Sequence, residues 1–295
     1  MQTGYSNTGS GQRPETRVQD FTAMLEVEIA GDHIDLPSFP EVALRVRRIL
    51  ADADVPVDDV VRVVSAEPSL VVRLLQLSNS AALNPTGRRL TDLRAAITRI
   101  GFNMARSATI AFAMSQLRRA DAYKGLEKQF NELWRTSTQV AAVSFVTAKT
   151  LTKVNPEMAL LAGLLHAVGK LYLLTRAARF PDLLNDATAY PALVQAWHTR
   201  IARAILVNWE MAPQVSDAVQ GFEACDRMRD GEIDLLDVLW VGRSLAALPR
   251  PPGDPPAALL ESHPARRLGL DAAACQAILV ESGREIDSLN SALGD

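Results

Sequence analysis

Apolar residues in this chain recur three and four positions apart in one segment after another, and no stretch of useful length alternates apolar with polar side chains. A helix stacks residues i, i+3, i+4 and i+7 on one face, whereas a strand puts every second residue there. The spacing therefore selects helices. Val57, Val60, Val61 and Val64 test this most sharply. β-Branched residues favour strands, yet these four form a single helical stripe. Phe21, Met24, Leu25 and Ile29 form another, as do Val42, Val46, Ile49 and Leu50. The expected fold is all-α and multi-helical. At 295 residues and 48% hydrophobic content, the chain can bury a large core without disulfides or metal.

Breakers divide the helices. Gly9, Gly11 and Pro14 mark residues 1–17 as a disordered tail, and 36–40, with Pro37 and Pro40, reads as a rigid turn. Pro68 suits a first helical position. Thr91 is the expected N-cap of a helix through Leu93, Ala96, Ile97 and Ile100, with Gly101 at its left-handed end. The charged stretch Arg118 to Gly125 reads as a seam between two helical halves. Long helices are expected through Phe130 to Phe145, Ala192 to Trp209 and Leu235 to Leu248. Residues 249–256, rich in proline, read as a linker, followed by an amphipathic helix within Leu268 to Leu289. The resulting layout is a tail (1–17), a domain (18–248) with halves at about 36–117 and 126–248, and a proline-rich linker with a C-terminal helix (249–295). Whether that last helix joins the same core is open.

Composition excludes several functions. A formal charge of -3 and 5% aromatics give neither a basic field nor stacking platforms for nucleic acid. Arg45, Arg47, Arg48 and Arg62 are interleaved with Asp52, Asp54, Asp58 and Asp59, which predicts a mixed, solvated surface. No run of about 18 apolar residues occurs, so no membrane partner is expected. Cys225 and Cys275 lie far apart without zinc-ligand spacing, as in a reduced cytoplasmic protein. No GxSxG or Walker motif is present.

Three segments, in order, carry a resemblance: LPSFPEVALRVRRIL from Leu36, EPSLVVRLLQLSNSA from Glu67 and RLTDLRAAITRIGFNMARS from Arg89. Together they resemble the N-terminal half of the HDOD family, a branch of the HD phosphohydrolase superfamily. The stretch LLAGLLHAVGKLYLL, Leu160 to Leu174, is similar to the HD core of the second half. Catalytic relatives read HDxGK there. An imidazole and adjacent carboxylate, with ligands from other helices, hold metal ions that activate water and steady phosphate charge.

The resemblance implies a degenerate site in this chain. Thr136 stands where a WRHS-like stretch carries histidine, and Ala167 replaces the aspartate beside His166. His198 matches a further histidine. The stretch Gln220 to Glu223 supplies no histidine. Arg243 falls where a closing aspartate belongs, a permanent cation in place of a ligand. No metal, cofactor or hydrolytic activity is expected. His166, Lys170, His198 and Arg243 are candidates for a relic pocket that binds an anion. The bland alternatives are a hydrogen-bonded core histidine at 166, a bend at Gly169 and a solvated Lys170. The family implies a cytoplasmic, bacterial signal-transduction module that works by protein contact, near cyclic-dinucleotide or stress-response pathways, with self-association as one form of contact. Two other functions compete: a sensor of a nucleotide second messenger, and a residual metal-dependent phosphohydrolase.

Overall fold

A computed structural model describes residues 14–31, 34, 41–50, 52, 54–80, 83–84, 87–118, 123–224, 230–249 and 254–293. The tail before Pro14, the turn at 36–40, much of the seam, Cys225, and Pro251 and Pro252 lie outside the described residues. Among the described residues every regular element is a helix. In chain order they are α1 (Pro14–Ala30), α2 (Glu41–Ile49), α3 (Val57–Val64), α4 (Pro68–Ser78), α5 (Leu93–Arg118), α6 (Glu127–Leu151), α7 (Pro156–Leu165), α8 (Val168–Ala177), α9 (Pro181–Leu184), α10 (Ala189–Asn208), α11 (Pro213–Gly221), α12 (Leu235–Ala246), α13 (Ala257–Glu261), α14 (His263–Arg267) and α15 (Ala272–Leu293). The all-α expectation holds. α1 starts inside the stretch assigned to the tail, because Pro14 sits at a helix start, where its missing N–H costs nothing.

Local chemistry sets the ends. Pro68 opens α4, and Glu67 accepts a hydrogen bond from Ser69 N. Asn79 closes it and does more than cap. Its Nδ2 donates to Leu75 O (2.8 Å) and to Leu90 O (2.7 Å), and its Oδ1 accepts from Leu90 N at 2.7 Å. Arg99 adds bonds to Ser78 O and Arg88 O. Ser78 and Asn79 thus help staple a loop to two helices. The cap of α5 is Asp92, not Thr91: its Oδ2 accepts from Ala95 N at 2.7 Å, a stronger, charged acceptor one residue further on. Gly101 breaks α5 at φ 74° and ψ 165°, extended rather than left-handed helical, in a region open only to glycine.

α6 is the axis of the molecule. From Val140 to Ala148 every residue is buried, as expected of a helix covered on all sides. α7, α12 and α15 pack on it, and α15 also contacts α4 and α5. Leu259, Leu268, Leu270, Cys275, Ile278 and Leu279 join the same hydrophobic core as the rest. The described segment from Leu259 to Leu279 is therefore part of that core. Arg267 fixes it further, pairing with the fully buried Asp237 at 3.1 Å, itself half of the capping box that starts α12. At the other end α1 lies against α9 and α10. Phe21 meets Phe180 edge to face at 5.4 Å. Glu28 accepts a hydrogen bond from the Tyr172 hydroxyl and pairs with Arg176 at 3.0 Å. The stretch Pro156–Ala177, long and apolar enough to cross a membrane by length and composition, is mostly buried within this core.

The expected mixed surface is seen on the first helices. Arg45 pairs with Glu41, Arg62 with Asp59 and Arg94 with Asp58.

Candidate functional site

Four helices bring the sequence candidates together. α6 carries Arg135, Thr136 and Gln139, and the turn after α7 carries His166 and Ala167. Lys170 is in the first turn of α8, and Arg243 lies near the end of α12. Thr136, His166, Lys170 and Arg243 line one cavity of about 520 Å³, with Arg135 and Gln139 beside them. Thr136, His166 and Lys170 also line an adjoining chamber of about 270 Å³, whose other walls include Ala167, Leu133, Leu174, Tyr190 and Val194. The site is thus one cleft with a cationic lobe and an apolar lobe, and His166 and Lys170 stand between them. His198 lines neither lobe. It is fully buried on α10, behind the cleft.

Close helix packing fixes this arrangement. A Cβ at Gly169 would lie 1.8 Å from His198 O, so α8 can approach α10 only because residue 169 has no side chain. Gly169 lies in the first turn of α8, directly after the turn at His166 and Ala167, and the contact with α10 is what requires it to be glycine.

The hydrogen bonds show which ring nitrogens carry a proton. His166 Nδ1 is 2.7 Å from Gly163 O, and a carbonyl only accepts, so Nδ1 carries the proton. Burial drives the His166 pKa down to about 4, and the charges of Lys170 and Arg243 push the same way. The ring is neutral near pH 7, with Nε2 as its acceptor. His198 Nε2 donates to Glu223 Oε2 at 3.0 Å, and its Nδ1 is buried without a partner. Glu223 Oε1 also faces Lys170 Nζ at 3.8 Å. The His198 bond, aided by the Lys170 and Arg243 charges, holds the Glu223 carboxyl below its ordinary range. Burial holds the Lys170 ammonium below its ordinary value, opposed by Glu223 and reinforced by Arg243. Lys170 is not the solvated end that its sequence context suggested: its side chain is 27% exposed and turned to a carboxylate.

Sequence reasoning missed Glu223, Arg135, Gln139 and Tyr190. The signal for Glu223 was present, since it closes the very stretch searched for a lost histidine. Arg135 adjoins Thr136 and shares its face of the cleft.

The residues present do not suit a divalent metal. Such an ion takes about four donors or more, and no group of three His, Cys, Asp or Glu able to hold one occurs among the described residues. Ala167 offers no donor, and His198 Nε2 is already committed to Glu223. Two guanidiniums and an ammonium around the cleft would repel a cation.

The HDOD domain family model matches residues 36–224. A crystal structure of an HDOD domain protein of unknown function from Geobacter sulfurreducens superposes with a TM-score of 0.61 at 21% identity, covering 96% of this chain and 99% of that one. A protein from Shewanella amazonensis SB2B, provisionally described as a metal-dependent phosphohydrolase, gives 0.63 at 23% identity over 90% and 99%. One from Marinobacter aquaeolei VT8, provisionally described as a signal transduction protein, gives 0.58 at 21% over 98% and 67%. A curated protein of Treponema pallidum (strain Nichols), itself uncharacterised, is 23% identical over 69% of this chain and 40% of its own length. The chain spans well under two thirds of that relative.

Proposed function

Because this chain belongs to the HDOD domain family, we propose that it is a non-hydrolytic module of signal transduction whose output is protein contact. One observation carries this: where the family resemblance implies a metal centre, the cleft presents Arg135, Lys170 and Arg243 and no set of metal donors. The packing supports the output. α15 rests on α6, and α1 is tied by Glu28 to Tyr172 and Arg176 of α8. The helices that form the cleft thus also seat the first and last helices of the described chain, so a change at the cleft reaches surfaces a signalling protein can read. Membership of the family points to partners in cyclic-dinucleotide or stress-response signalling, and contact with a second copy is included among them.

The test is hydrolysis of bis-p-nitrophenyl phosphate with added Mn²⁺ or Fe²⁺. The expected rate equals that of His166→Ala, with purified protein carrying less than about a tenth of an equivalent of metal, far below what a tight site retains. Metal-dependent turnover that disappears in His166→Ala would overturn the proposal.

A further inference from the structure

We propose, resting on that non-hydrolytic role, that the cleft has inverted its charge preference and binds a phosphate ester bearing a flat apolar group, of the nucleotide class, without any divalent metal. The polar lobe supplies the anion site. Arg135 and Arg243 both line it, both are exposed, and neither has a carboxylate partner among the described residues. Lys170 shares its single carboxylate, Glu223, with His198. Two cations without a carboxylate partner, on α6 and α12, and a third on α8 that shares its one carboxylate with His198 surround one cavity; in a chain of net charge -3 they form a local site for an anion rather than part of a general basic surface. Guanidiniums suit phosphate because their paired N–H groups match its oxygens.

The adjoining lobe supplies the second half of the ligand. Its wall combines aliphatic side chains with Tyr190, a partly buried ring, and the exposed Gln129 and Glu132 also line it. Burial raises the pKa of the Tyr190 phenol, so it stays a neutral hydrogen-bond donor. A planar group can lie on that ring while its phosphate reaches the arginines. Neutral His166, common to both lobes, has Nε2 left to accept from a ligand hydroxyl. A metal-bound nucleotide would not suit this set, since the protein cations already occupy the place of the ion.

The experiment is calorimetric titration and thermal unfolding of the full chain in excess EDTA, with adenosine 5′-monophosphate, inorganic phosphate and adenosine as probes. The monophosphate should bind best. Both single-part probes should bind at least about tenfold more weakly, the loss of one good contact set. At a hundredfold excess over its dissociation constant the monophosphate should raise the melting temperature by about 5 °C. Arg243→Glu and Arg135→Glu, both at exposed positions, should each weaken it at least about tenfold. Lys153→Glu makes the same charge change just past the end of α6, which runs about 24 Å from Arg135 to Leu151 by helix rise, and should leave binding unchanged. Equal weakening by Lys153→Glu, or absence of binding by both phosphates, would overturn the charge-inverted site while leaving the non-hydrolytic role standing. Binding that requires Mn²⁺ and is followed by release of phosphate would overturn both.

Discussion

Replacing Gly169 by alanine sets two physical effects against each other. Helix propensity alone favours the change by roughly 1 kcal/mol, since alanine is the best helix former and glycine among the worst. Packing opposes it. The new methyl would sit 1.8 Å from His198 O, 2.8 Å from His198 C and 3.0 Å from Ala202 N, and real Cβ contacts essentially never fall below 3.0 Å. Relief requires α8 and α10 to part by more than an ångström, because all three obstructing atoms are backbone and cannot rotate away. Overpacking in a well-filled core costs typically 1–3 kcal/mol, and a backbone clash lies at or beyond the top of that range. After the propensity gain, a net loss of about 2 kcal/mol or more is expected. That corresponds to a fall of about 4–8 °C in melting temperature for a domain near this size. Urea unfolding followed by tryptophan fluorescence is a suitable readout, since Trp209 follows α10 directly and is buried. A Gly169→Ala protein as stable as the parent, or more stable, would refute the close approach of α8 and α10 and with it the placement of His198 behind Lys170.

Two further perturbations test other parts of the site and fold. His166 is 3% exposed with its pKa depressed to about 4, against 6.5 unfolded. Unfolding therefore takes up a proton between these values, and stability falls as pH drops from about 6.5 to about 4, by about 3 kcal/mol at most. Denaturation midpoints at pH 7 and pH 5 should differ less in His166→Gln, and an unchanged difference would contradict the buried neutral ring. Asn79→Ala removes three hydrogen bonds, two that tie the end of α4 to Leu90 and one to Leu75 O within α4. It should cost about 1–3 kcal/mol and speed amide exchange at Leu90, while unaltered exchange there would show that the staple does not hold the loop.

The helices were readable because their signals are local. The proline opening at Pro68 and the stripe through Val57–Val64 depend on neighbours within a few residues, and both are found where the sequence put them. Caps were less legible: Thr91 and Asp92 both qualify by type, and only geometry shows Asp92 meeting Ala95 N. The roles of Gly169 and Asn79 were hidden because their partners, His198 and Leu90, lie 29 and 11 residues away. The place of α15 was undecidable for the same reason, as an amphipathic stripe announces that it will be covered and says nothing of what covers it.

Glu223 shows a different kind of blindness, and it bears on what the cleft can bind. Comparing positions with a metal-holding pattern finds which donors are missing, but not what charge replaces the ion. In this chain one carboxylate serves two bases, a hydrogen bond to His198 and a longer contact to Lys170. A second carboxylate at residue 167 would have balanced the arginines as well. With Ala167 there instead, the positive charge of Arg135 and Arg243 is left for something that enters from outside. On the proposed reading, Ala167 where the family resemblance implies an aspartate and Arg243 where it implies another act in the same direction. Each alone would only weaken a metal site, and the two together favour a ligand that is negative.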